Sequence, residues 1–161
     1  GDNVASGRDR FEGYRRALSE AGLHFRDAFC GEFSSEPGAS ETSARQIMAE
    51  REAPTAFCCV HDTSAEHLAR ELSRLGYTVP EHIELAAVDD EHISESTGIA
   101  MITLRQPARL MGREAARLLL ARIREPYRPF EERFIREESI MQQAALPASA
   151  RPDAVGVAIA G

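Results

Sequence analysis

The chain has 161 residues, 43% hydrophobic and 28% charged, with a formal net charge of −7; this describes one ordinary globular domain with a real core, not a disordered or membrane-embedded segment. Every one of the 19 basic residues is arginine, which excludes a Schiff-base lysine, a Walker-type phosphate lysine and the lysine of a phosphorylation receiver. The acidic balance is also a poor electrostatic footprint for nucleic acid, because nothing offsets phosphate repulsion.

No apolar run approaches a membrane span, and no signal-peptide pattern opens the chain. The opening GDNVASG reads as a loop, as if the sequence began partway through a larger protein. RDRFEGYRRALSEAG (8–22) predicts a helix: Phe11, Tyr14, Ala17, Leu18 and Ala21 recur at three- and four-residue steps, and Gly22 stops it. HFRDAFCGEF (24–33) predicts a short strand. The stretch 34–52 starts as a polar loop and becomes a helix through Ala44, Ile47 and Met48.

TAFCCVHD (55–62) is a continuous apolar run ending in polar residues. TSAEHLARELSRLGYTVP (63–80) predicts a second clear helix, with Leu68, Leu72 and Leu75 on one face and Gly76 at its end. IELAAVDD (83–90) repeats the apolar strand with a polar tip. After residue 92 come a loop, a short strand at MITL (101–104) and a strong helix at 106–125, with Pro107 suited to its first turn. ERFIREESIM (132–141) alternates as an edge strand does, and the tail 142–161 reads as disordered or as a late strand at VGVAIA. Short apolar runs alternating with amphipathic helices predict an α/β fold with a parallel sheet covered on both faces.

Cys30, Cys58 and Cys59 are an odd count without CxxC spacing. They read as buried, reduced thiols of a cytoplasmic protein, not as a zinc site.

In open parallel sheets ligands bind outside the carboxyl ends of the strands. His61, Asp62, Asp89 and Asp90 fall at those ends, so the adjacent aspartates are expected to line a cleft. Read as an enzyme, Asp62, Asp89, Asp90, Glu91 and His92 would be a metal or acid–base cluster. No nucleophile–base constellation accompanies them, so no catalytic residue, metal site or cofactor is expected.

Five stretches in order carry a resemblance to a known family: RDRFEGYRRALSEAG, PTAFCCVHDTSAEHLARELSRLGYTVPEHI, ELAAVDD, MITLRQPARLMGREAARLLLARI and FIREESI. Together they span residues 8–140 and resemble the effector-binding core of LacI/GalR-type bacterial transcription regulators. The resemblance implies a periplasmic-binding-protein-like fold of two α/β subdomains around a cleft. Residues 1–100 would form most of the C-terminal subdomain, and 101–125 a crossover strand and helix of the N-terminal subdomain. Residues 126–141 would be a return strand and 142–161 a tail. It further implies a homodimer in the cytoplasm, a small-molecule effector such as a sugar, and operator DNA bound by an N-terminal head outside this sequence. A periplasmic sugar-binding protein of a transport system is the alternative on the same fold.

Carried over residue by residue, the resemblance makes Arg10 the guanidinium that grips ligand hydroxyls or carboxylates. Asp89 would accept from hydroxyls, and Gln106 would stand near the cleft at the crossover, or else serve as a polar residue of the helix start. Asp90 and Asp62 take structural roles, capping a turn and the helix from Thr63. At His61 the family usually carries asparagine. Either the ligand differs from a neutral sugar or the imidazole fills space. Phe33 and Phe57 lie near strand ends, where they would stack on a sugar ring or belong to the core.

Overall fold

The computed structural model describes residues 5–34, 36, 38–89, 98–136, 138–141 and 157–160. In chain order these form α1 (Ala5–Glu20), a 3-10 turn (Asp27–Phe29), β1 (Cys30–Gly31), α2 (Ala39–Met48), β2 (Ala56–Cys59) and α3 (Asp62–Arg74). There follow β3 (Glu84–Asp89), β4 (Ile102–Arg105), α4 (Ala108–Arg124), β5 (Glu138–Met141) and β6 (Val157–Ala160). The strands make one six-stranded sheet in the order β1-β6-β2-β3-β4-β5, parallel throughout except for the antiparallel edge strand β5.

Successive strand residues point to opposite faces, and Cys58 and Cys59 show which face is which. Cys59 is fully buried with Phe57, Leu85 and Ala87 against Ala44 and Ile47 of α2 and Leu68 and Leu72 of α3. Cys58 faces the other way, onto Tyr14 and Leu18 of α1, where Phe11 and Phe25 complete a small aromatic cluster with an edge-on contact at 5.6 Å. Helices therefore flank both faces, as the alternation of patterns predicts. Phe33 and Phe57, each 1% exposed, meet edge-on at 6.3 Å inside the core, so stacking on a ligand is not their role.

Several expectations change in detail. The strand foreseen over 24–33 shrinks to Cys30–Gly31, because Asp27–Phe29 close into a 3-10 turn. The Arg26 guanidinium covers the Phe29 ring at 4.1 Å there and bridges to Glu50 at 3.2 Å. Because β1 is a sheet edge, Cys30 is exposed; of the three thiols only Cys59 is buried. The edge strand foreseen over 132–141 forms only at Glu138–Met141. The late strand at the C-terminus does form, but inside the sheet, hydrogen-bonded on one side to β1 and on the other to β2.

The strand expected at 101–104 forms as β4 and hydrogen-bonds to β3 in this same sheet. After it, α4 buries only Glu114 among its own residues and leaves Met111, Leu119, Leu120 and Ile123 exposed. The following segment folds back along α4. Arg133 bridges to Glu114 at 2.6 Å, and Arg122 donates to the carbonyls of Pro126, Arg128 and Pro129.

Candidate functional site

Parallel strands deliver all their carboxyl ends to one edge of the sheet, and the helix that follows each strand starts there. β2, β3 and β4 are such neighbours. Their register sets Asp89, the last residue of β3, beside Arg105, the last of β4. Ala56 to Cys58 of β2 pair with Glu84 to Ala86 of β3, so continuing that register brings His61 alongside Asp89. At the usual strand spacing His61, Asp89 and Arg105 make a row about 10 Å across.

α1 delivers Arg10 to the same edge. Its Nη1 donates to the carbonyl of Val60 at 2.7 Å and contacts His61 Nδ1 at 3.0 Å. A guanidinium can only donate, so Nδ1 is the acceptor in this contact. Arg10 lies in the second turn of α1, because that helix starts at Ala5 and not near residue 8. His61 is exposed and stands at the N-cap position of α3 without a side-chain capping bond. Its ring is in direct contact with the arginine.

Asp62 is the first residue of α3, not its cap. Its side chain is 1% exposed and accepts a 3.0 Å hydrogen bond from Thr103 Oγ1, itself fully buried on β4. A buried carboxylate must be hydrogen-bonded to be tolerated. The bond thus ties the start of α3 to β4 and sets the spacing between His61 and the strand end that carries Arg105 and Gln106. Gln106 is half-buried just beyond β4, and its carbonyl accepts from the Ala108 amide at 2.8 Å, turning the chain into α4. Pro107 is the N-cap residue of α4, one position before the turn expected for it.

Four residues expected at the site, Arg10, His61, Asp89 and Gln106, therefore lie at one edge of the sheet, with Arg10 and His61 in direct contact. Asp90, Glu91 and His92 lie outside the described residues. Sequence reasoning missed Arg105 and the Thr103–Asp62 tie. Arg105 sits inside the quoted MITLRQP stretch, and only the register against Asp89 singles it out. A concavity of about 830 Å³ runs along the outer flank of α1 past Asp9, Glu12, Arg16 and His24. It is lined by solvated charges and holds none of the strand-end residues, so the site rests on the strand ends. Among the described residues no three His, Cys, Asp or Glu side chains gather in a way that would hold a metal ion. No helix of the described residues is long and apolar enough to cross a membrane.

The profile of the periplasmic binding protein-like domain family matches residues 1–144. The HTH-type transcriptional repressor PurR of Vibrio vulnificus is 31% identical over 121 residues, which cover 75% of this chain and 36% of that protein. The chain thus spans about a third of the length of the curated relatives it matches. Among solved structures, a transcriptional regulator LacI from Bacillus cereus subsp. cytotoxis superposes with a TM-score of 0.78 at 20% identity, covering 89% of this chain and 51% of that one. The transcriptional regulator CelR, in complex with cellobiose, superposes with a TM-score of 0.69 at 27% identity, covering 80% of this chain and 39% of that one.

Proposed function

The chain belongs to the periplasmic binding protein-like domain family and is an effector-binding domain of the LacI type, and from that premise we propose that it senses a small sugar-like metabolite for a transcriptional repressor. The observation that carries the reading is the meeting of Arg10 and His61 at the strand ends, beside Asp89 and Gln106. A guanidinium and an imidazole in contact, on strand ends whose neighbouring residues are an aspartate and a glutamine, are the donor and acceptor types that a polyhydroxylated ligand requires. The cellobiose bound to CelR is in keeping with a sugar. The transport alternative is set aside, because the relatives that match at 31–33% identity are HTH-type repressors.

The role is recognition without catalysis. Operator DNA is contacted by a separate N-terminal head, in keeping with the net charge of −7 on this chain. The protein acts in the cytoplasm as a homodimer, whose symmetry matches a near-palindromic operator. Residues 1–100 form most of the C-terminal subdomain, and 101–125 are the crossover strand and helix, with α4 packing in the N-terminal subdomain. The exposed apolar side of α4 supports this, since Leu119, Leu120 and Ile123 need a cover. Ligand favours one arrangement of the two subdomains and so alters the spacing of the paired heads, a coupling set by differential affinity for two states.

A thermal-shift screen of the full-length protein against sugars, sugar phosphates and nucleobases tests this. A ligand at 100 times its dissociation constant adds about 2.7 kcal/mol of stability. The expected result is that one such ligand stabilises the parent and neither Arg10→Ala nor Asp89→Ala responds to it. If a ligand stabilises parent and both variants equally, the strand ends are not its site.

A further inference from the structure

We propose that Tyr14 is a positioning residue of this site: it seats α1 on the C-terminal strand β6 and so sets where Arg10 meets Val60 and His61; this rests on the effector-binding reading above. Arg10, Tyr14 and Leu18 recur every four residues and share one face of α1. Tyr14 and Leu18 are buried and pack with Cys58, so that face is the one laid on the sheet. Arg10 donates to the carbonyl of Val60, two residues beyond Cys58. Four helical residues rise about 6 Å and two strand residues about 6.6 Å, so a helix with Tyr14 over Cys58 carries Arg10 to Val60. The arginine reaches the strand end because the tyrosine is seated one turn behind it.

That seat lies across β6. Ile159 pairs in register with Cys30 of β1 on one side and with Cys58 of β2 on the other, so both cysteines point to one face. Gly31 identifies the face: a Cβ there would meet Ile47 and Ser43 of α2, so its neighbour Cys30 points the other way, to α1. Burial, then the thiols of Cys30 and Cys58, raise the pKa of the Tyr14 phenol, as a ring lying between the two and above β6 requires. The rings of Phe11 and Phe25 flank it, with centroids at 6.4 and 6.3 Å. β6 lies beyond residues 1–144, which the family profile matches. A segment outside the matched region thus carries the helix that delivers Arg10.

The test is NMR of the full-length protein carrying isotope-labelled histidine, at about pH 8.5, where an ordinary imidazole is neutral. The ring signal of His61 is assigned by its loss in His61→Gln, and Arg10→Ala gives its position without the guanidinium. The expected result is that Tyr14→Ala moves the His61 signal most of the way to the Arg10→Ala position. Tyr14→Phe, which keeps the ring, leaves it where wild type has it. Leu18→Ala also opens space under α1, one turn farther from the site, and lowers the melting temperature without moving the signal. If Tyr14→Ala does not fold, Tyr14→Leu, which keeps apolar bulk without the reach of the ring, is read in the same way. An unmoved His61 signal in the folded Tyr14 variant overturns the inference. An equal shift in Leu18→Ala overturns it too, since general packing would then set the contact. The readout needs no ligand, so its failure leaves the effector-binding reading to the thermal-shift screen. Failure of that screen removes the ligand and leaves the dependence of Arg10 on Tyr14 standing as a structural one.

Discussion

Replacing Thr103 with valine should cost the protein much more than its size suggests. Valine keeps the shape and the β-branching suited to a strand, and removes only the hydroxyl that donates to Asp62 at 3.0 Å. Thr103 is 0% exposed and Asp62 1% exposed, so no solvent reaches in to replace the donor. A hydrogen bond to a charged group is worth about 1.5–3 kcal/mol, and leaving the carboxylate short of a partner costs in the same range. For a chain of 161 residues, each kcal/mol moves the melting temperature by about 2–4 °C, so Thr103→Val should melt about 3–12 °C lower. Thr103→Ser is the control, because it keeps the hydroxyl and loses one methyl, worth about 0.8 kcal/mol. Urea denaturation with circular dichroism reads both variants. If Thr103→Val is as stable as wild type, or more stable than Thr103→Ser, the bond does not hold β4 to α3. The spacing between the start of α3 and the end of β4 is then set by other contacts.

Further outcomes follow from burial and topology. Burial raises the pKa of the Cys58 and Cys59 thiols and of the Tyr14 phenol, for Tyr14 with added repulsion from Cys30 and Cys58. With folded values above unfolded ones, the stability these groups contribute is intact below the ordinary thiol range near pH 8.5 and is lost as pH rises beyond it. The urea midpoint should therefore fall between about pH 8.5 and 10.5, and a flat or rising midpoint would contradict their burial. Thiol titration with an aromatic disulfide should modify the exposed Cys30 rapidly, the half-buried Cys58 slowly and the buried Cys59 only in denaturant; fast reaction of Cys59 in native protein would refute the packing of β2 on α3. Deleting residues 157–161 should abolish cooperative unfolding, because β6 pairs on both sides and its loss exposes the edges of β1 and β2. An unchanged midpoint would mean the strand adds nothing to the sheet.

Local pattern carried the elements that have a strong period of their own. The three- and four-residue steps of α1 and of α3 survive folding because each helix has one face to bury, on Cys58 and on Leu85 and Ala87 respectively. The apolar runs of β2 and β3 are equally plain, since strands covered on both faces lose the alternation that marks an edge. Where pattern misled, a competing interaction intervened. The run 24–33 has strand composition, but Arg26 on the Phe29 ring and on Glu50 closes it into a turn. Asp62 looked like a helix cap by position, yet a buried hydroxyl two strands away claims its carboxylate.

From sequence alone come the class of fold, the order of strands and helices along the chain, and the fact that polar residues sit at strand ends. Those follow from period and composition, which are local properties. Tertiary structure alone decided the sheet order, and with it everything that depends on neighbours in space. It set Val157–Ala160 between β1 and β2, left Cys30 on an edge, joined Arg10 to His61 across 51 positions of chain and put Arg105 beside Asp89. Strand pairing is made by backbone groups common to every residue, so side-chain pattern says that a segment is a strand but not which strand lies next to it.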